Sequence, residues 1–364
     1  MFRVITFGES HGPACGCVVD GCPAGLSLTT EDVARDLRRR RPGFSPASTS
    51  RLETDEPELL SGIFEGKTLG TPIAILIRNQ AQHSADYEKL RDLYRPGHAD
   101  WTWETKFGFR DHRGGGRSSG RETVGRVAAG AVARAFLATM GIRIRAWSSS
   151  IAGIEVPDFQ NLDFEEAEQN GLQIPDKESA LKIRNTLEQL KKAGDSAGGI
   201  VSCRVSGLPP GLGEPVFDKL NARLAAAILS IGAAKGIEFG AGFDSARQYG
   251  SIHNDRPVPD FSPRSKMPES VPGIRFETNN AGGILGGIST GRDVEFKVAF
   301  KPVPSIAKTQ KTVNRSGTTI DLSISGRHDV CIVPRAVPVV EAMAGLVLAD
   351  ALLQNRSAYV SEHG

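Results

Sequence analysis

Residues 95–126 read RPGHADWTWETKFGFRDHRGGGRSSGRETVGR, a loop dense in glycine and arginine that runs straight into a helical segment. Ser119 and Glu122 stand at the S-x-x-E spacing of a capping box, and the apolar run after them predicts a helix over 124–140. That helix is crowded with Gly125, Ala128, Ala129, Gly130, Ala131 and Ala133. Side chains this small let backbones approach closely, so the helix is expected to be buried against a sheet or another helix. The loop before it reads as an anion site: free N–H groups at a helix start, the positive end of the helix dipole, and Arg113, Arg117 and Arg121 would together favour a phosphate. A plain capped helix with solvated arginines would carry the same S-x-x-E. Gly114-Gly115-Gly116 speaks for the site, because three glycines lose much backbone entropy on ordering and are kept where backbone must come close to something.

Working outward, strands are expected at 2–7 and 14–20, joined by the turn Gly8-Glu9-Ser10-His11-Gly12, and again at 59–64 and 72–77. A helix over 31–40 is opened by Thr29 or Thr30 and stopped by Pro42-Gly43. Further strands are expected at 142–156, 199–205, 237–243, 294–300 and 319–324, with helices at 179–192, 220–231 and 337–353. The polar, proline-rich segment 253–272 reads as a surface insertion and 356–364 as a tail. The elements alternate without the regular cadence of a doubly wound sheet, which predicts a mixed α and β protein.

The chain has 364 residues, 39% of them apolar and 24% charged, with a net charge of +2. Those values suit an ordinary globular core and do not make the molecule a polycation built for nucleic acid, in spite of the run Arg38-Arg39-Arg40-Arg41. No signal peptide is evident and no apolar run approaches membrane-spanning length, so a cytoplasmic protein with no membrane partner is expected. Cys15, Cys17, Cys22, Cys203 and Cys331 have no histidine at ligand spacing, so they are read as small core side chains and no metal site is expected.

Gly8-Glu9-Ser10-His11-Gly12 formally matches the G-x-S-x-G of a serine hydrolase. A nucleophile elbow needs a helix directly after the serine, whereas Pro13 and a strand-like run follow here, so acylation of Ser10 is disfavoured. His11, His98 and His328 all sit in turns marked by glycine, proline or charge, which suggests one shared acid/base site. Gly286-Gly287 and Lys301-Pro302-Val303-Pro304-Ser305 add backbone suited to enclosing a flat or phosphorylated ligand. Neither a Walker A loop nor a G-x-G-x-x-G at a strand-to-helix junction is present, which argues against a kinase or a dehydrogenase.

These blocks together, GESHG, DLRRRRPG, the 95–126 stretch, AGGILGGIS and RHD, resemble the chorismate synthase family along nearly the whole chain. The resemblance implies one α+β domain over 1–364, a β-α-β sandwich with helices packed between antiparallel sheets, assembled as a homotetramer. It implies 1,4-anti elimination of phosphate and a ring proton from 5-enolpyruvylshikimate 3-phosphate to give chorismate. Reduced FMN is used without net redox change and would be supplied by an external reductase or reductant.

By the same resemblance His11 protonates the leaving phosphate, His98 serves the reduced flavin, and Ser10 and Asp329 assist proton removal. Arg117, Ser118, Ser119, Gly232, Ala233, Gly286, Lys301, Pro302, Val303, Pro304, Ser305 and Arg327 match flavin-binding positions. Arg40 matches a contact to substrate or NADP. Relatives commonly carry an arginine where this chain has Pro46, and Arg51 is expected to substitute for it. Gly232 stands where asparagine is common, which leaves backbone alone for flavin contact there. The competing class is a phosphate- or RNA-binding module without catalysis, resting on Arg38 to Arg41 and the glycine loops.

Overall fold

The computed structural model describes residues 1–41, 53–80, 84–157, 162–260, 271–324 and 328–358. Two antiparallel sheets face each other across a layer of helices. The first runs in the order Arg3–Gly8, Ala14–Asp20, Ile73–Arg78, Pro57–Leu59. The second runs in the order Ala234–Phe239, Val294–Phe300, Gly199–Ser206, Arg143–Ile151, Ile154–Glu155. Alternation explains the strands: in Ile73–Arg78, Ile73, Ile75 and Ile77 face the core, as Val294, Phe296, Val298 and Phe300 do in Val294–Phe300.

Between the sheets lie the first helix, Thr30–Arg40, the central helix, Thr123–Ala138, and the closing helix, Val333–Gln354. The small residues of the central helix act as expected, on both of its neighbours. A Cβ on Gly125 would lie 2.6 Å from the carbonyl oxygen of Gly16 in the first sheet, and one on Gly130 would lie 2.3 Å from Cβ of Ala342 in the closing helix. Both distances are shorter than real Cβ contacts, so only glycine allows these approaches.

Several expectations change. Ser119 and Glu122 form no capping box: Ser119 Oγ accepts from the N–H of Arg121 at 3.2 Å in a short 3-10 turn, Gly120–Glu122, and the α-helix starts only at Thr123. The Glu122 carboxylate accepts instead from Thr6 Oγ1 and Arg126 Nε, both at 2.8 Å. The capping box is in the first helix, where Thr29 and Asp32 satisfy each other's backbone N–H groups.

The closing helix begins at Val333, not 337, because Pro334 lies in the first turn, where its missing N–H costs nothing. It is long and apolar enough to cross a membrane, contrary to the sequence reading, yet it is mostly buried between the sheets and serves as a core helix. Helices at Asp100–Phe107 and Phe164–Gln169 have no counterpart in the sequence reading. The strand expected at 59–64 is divided between Pro57–Leu59 and Ile63–Phe64, and that at 237–243 ends at Phe239. At the base of the 253–272 insertion, Pro257–Pro259 pairs with Ile274–Phe276, while 261–270 lies outside the described residues.

Candidate active site

A cavity of about 920 Å³ opens where the 95–126 stretch meets the loops at 230–235 and 301–305 and the start of the closing helix. It gathers His98, Arg117, Ser118, Ser119, Gly232, Ala233, Lys301, Val303, Pro304, Ser305 and Asp329 on its walls, together with Arg40. Gly286 is not among the lining residues. It sits in the exposed turn between Ile284–Leu285 and Ile288–Ser289. Pro302 points away, next to Gly198. Arg51, Pro46 and Arg327 lie outside the described residues.

What the triple glycine approaches is His11. Gly114 has φ +82°, and a Cβ there would lie 2.7 Å from Cε1 and Nδ1 of His11 and 3.0 Å from Ser10 Oγ. His11 and Ser10 are therefore packed behind the glycine loop and are not among the lining residues; they are 7% and 2% exposed, with Ser10 Oγ 3.1 Å from His11 Nδ1 and the Tyr87 ring edge-on to the imidazole. Arg95 holds the loop: its Nη2 donates to the Gly114 carbonyl at 3.0 Å, and the same guanidinium is clamped by Asp100 at 2.7 and 2.8 Å. Burial of Ser10 against His11, with a strand after the turn, leaves no elbow for a serine hydrolase.

On the neighbouring wall, His98 Nε2 lies 2.8 Å from Ser305 Oγ, and Lys301 Nζ donates to the Gly97 carbonyl at 2.7 Å. Burial pushes His98 down to about 4, helped by Arg95, Lys301 and His328 and opposed by Asp100. Burial and Arg95 likewise lower His328, against the pull of Asp329. Its Nε2 is enclosed and has no hydrogen-bond partner among the described residues. Both imidazoles are thus neutral at pH 7, whereas an ordinary imidazole would titrate close to neutrality. Asp329 accepts from Arg335 Nη1 at 2.5 Å, and Arg335 Nε donates to the Arg40 carbonyl at 3.2 Å.

The arginines do not stand free as the sequence suggested. Arg113 pairs with Asp111 at 2.8 Å and is not a lining residue. Arg117 donates to the carbonyl of Gly8 at 2.8 Å and to Thr6 Oγ1 at 2.5 Å. Arg40, 1% exposed, donates to Thr123 Oγ1, Asp55 and the Gly120 carbonyl. Arg121 also pairs with Asp55. Although burial works against it, Arg40 and Arg121 hold the Asp55 carboxyl below its usual range. Burial and the neighbouring guanidiniums of Arg335 and Arg121 bring Arg40 down to about 9, still charged at neutral pH. The amides at the helix start are also taken up locally, by Ser119 and by the Gly120 and Arg121 carbonyls.

The cavity nevertheless presents open backbone. Gly116, Gly120 and Gly232 line it, and a Cβ on any of them would meet nothing within 4 Å. Glycine backbone, the Ser118 and Ser119 hydroxyls and a surplus of cations make a cradle that fits a flat, phosphorylated group such as FMN.

The family profile described as chorismate synthase matches residues 2–353. The chain belongs to the chorismate synthase family. Chorismate synthase of Lachnoclostridium phytofermentans is 53% identical over 357 residues, covering 98% of this chain and 95% of that relative. The Christiangramia forsetii chorismate synthase is 50% identical over 361 residues, covering 99% and 98%. A crystal structure of chorismate synthase superposes with a TM-score of 0.76 at 33% identity, covering 97% of this chain and 92% of that one. Within this chorismate synthase cavity, Arg95, Asp100, Trp103, Arg110 and Arg335 were missed as site residues from sequence. RPGHAD did contain the Arg95–Asp100 pair, but nothing in a five-residue spacing says that the two side chains meet.

Proposed function

We infer that the chain converts 5-enolpyruvylshikimate 3-phosphate to chorismate by 1,4-anti elimination of phosphate and a ring proton, a carbon–oxygen lyase reaction that uses reduced FMN. The observation that carries this reading is the convergence of residues 98, 117–119, 232–233, 301, 303–305 and 329 on one cavity in a chain matched to the family over residues 2–353. At about 920 Å³, that cavity lies at the upper end of the roughly 300–1,000 Å³ typical of ligand pockets, which suits a cofactor and a substrate together.

When bound, reduced FMN supplies electron density that helps the C–O bond to phosphate break, with no net redox change. Ser118, Ser119, the Gly232–Ala233 backbone and the Lys301–Ser305 turn would hold it. His11 gives a proton to the departing phosphate, its ring fixed by Ser10 on Nδ1. The Asp329 carboxylate, oriented by Arg335, and the Ser10 hydroxyl assist removal of the ring proton. His98, being neutral, acts first as a hydrogen-bonding group held by Ser305. An anion in the cavity favours its protonation.

We also read 1–364 as one domain, supported by an apolar cluster that, among the described residues, spans both sheets. A cytoplasmic homotetramer supplied with reduced flavin from elsewhere completes the proposal, and exposed Phe243, Tyr249 and Ile252 offer apolar surface for association. The test is chorismate formation under anaerobic conditions with chemically reduced FMN and without it. Flavin-dependent product supports the reading, and product formed equally well without flavin overturns it.

A further inference from the structure

Asn79 follows the strand Ile73–Arg78 and does not line the cavity, yet it holds the turn that carries His11. Its side-chain Nδ2 donates to the carbonyls of Glu9 at 3.0 Å and Gly12 at 2.8 Å, the two that bracket Ser10 and His11. Its backbone N–H donates to the carbonyl of Pro13 at 3.0 Å. Its Oδ1 accepts from Arg121 Nε at 2.7 Å. A primary amide offers two N–H donors and an acceptor oxygen, and each has a partner here. The orientation is forced as well: a flipped amide would set N–H groups against the Arg121 donor and leave two carbonyls facing an oxygen. Arg121 is itself fixed by Asp55 and by the Arg78 carbonyl, so the turn is tied to a buried ion-pair network.

We propose that Asn79 is the positioning residue for the Ser10–His11 turn, holding the imidazole at the distance and angle that proton delivery needs. The proposal rests on the reading of His11 as the acid. Misplacement of about 1 Å can cost on the order of a hundredfold in rate, so losing a clamp behind the turn should be felt in turnover even though Asn79 touches no reactant. Asn79→Ala removes the clamp. Asn79→Asp keeps an oxygen for Arg121 and places a second oxygen against the two carbonyls, so it breaks the turn contacts selectively.

The experiment is a double-mutant cycle of Asn79→Ala and His11→Ala, read in kcat and KM for 5-enolpyruvylshikimate 3-phosphate with reduced FMN. We expect Asn79→Ala to lower kcat by about tenfold or more while KM changes by less than about threefold. In the His11→Ala background it should cost almost nothing further, because the group it positions is gone. Equal losses in both backgrounds, or wild-type kcat in Asn79→Ala, would overturn the proposal. A His11→Ala enzyme as fast as wild type would instead remove His11 from the mechanism, a separate failure visible in the same data. Should Asn79→Ala not fold, Asn79→Ser, which retains one donor, runs the same cycle against the same criterion.

Discussion

Two groups of ionisable residues at this cavity, one fully buried and one half-buried, resolve their loss of solvent in opposite ways. Arg40, Arg121 and Asp55 are 1%, 5% and 2% exposed, and each guanidinium meets both the Asp55 carboxylate and a backbone carbonyl. Burial lowers His98 and His328 most, with Arg95 and Lys301 adding to it at His98 and Arg95 at His328, and Asp100 and Asp329 do not offset it, so both lose their charge. Burial thus leaves charge in place where opposite partners are built in and removes it where they do not offset the lost solvent. The paired group sets the shape of the site, and the imidazole group is left to respond to what enters it.

Breaking the paired group should give the largest effect. Asp55→Ala leaves two buried guanidiniums facing each other, and loss of one partner of a buried pair typically costs about 3–5 kcal/mol, read as a lower denaturant midpoint. A midpoint equal to wild type would mean that water reaches this network and that the contrast between the two groups is false. Next come His11→Ala and His98→Ala, each expected to lower turnover by on the order of 10²-fold, with folding intact by circular dichroism. If only His11→Ala is slow, the imidazole group is reduced to structural support for the 301–305 loop.

A smaller effect sharpens the comparison through pH. His98 is held at about 4, below the ordinary 6.5, so the unfolded chain binds more protons between those values. Its contribution to stability is complete above pH 6.5 and falls as the pH drops towards 4. Buried Asp36, raised to about 6 by desolvation with Glu341 adding to it, acts in the other sense, losing stability as pH rises from about 4 to 6. Melting temperatures of wild type and His98→Gln across pH 4–7 therefore isolate the histidine: the variant should lose less stability on acidification. Parallel curves would mean that His98 titrates normally. The smallest expected change is in Arg51→Ala, which should raise KM for the phosphorylated substrate and leave kcat alone; an unchanged KM would drop Arg51 from the site.

What could be read from sequence, and what could not, follows the range of the interactions. The apolar run Ala14–Asp20 and the alternating Val294–Phe300 form strands where they were expected, and the glycine and alanine density of the central helix announced its burial. Motif resemblance singled out 117–119 and 301–305, and all of these except Pro302 line one cavity. The failures lie in side-chain partner choice. Ser119 and Glu122 have capping-box spacing, but Thr6 and Arg126 compete for the carboxylate. Arg121 looked like a phosphate ligand until Asp55 and Asn79, far off in sequence, were found on it. The need for glycine at 114 was legible; that His11 was the group approached was not.

The most direct measurement is an anaerobic single turnover, with substrate, phosphate, chorismate and flavin oxidation state followed together. The account predicts chorismate and phosphate in equal amounts, at the same rate, with the flavin recovered reduced. Flavin oxidised in proportion to product, or no chorismate while both FMN and substrate are bound, would contradict it.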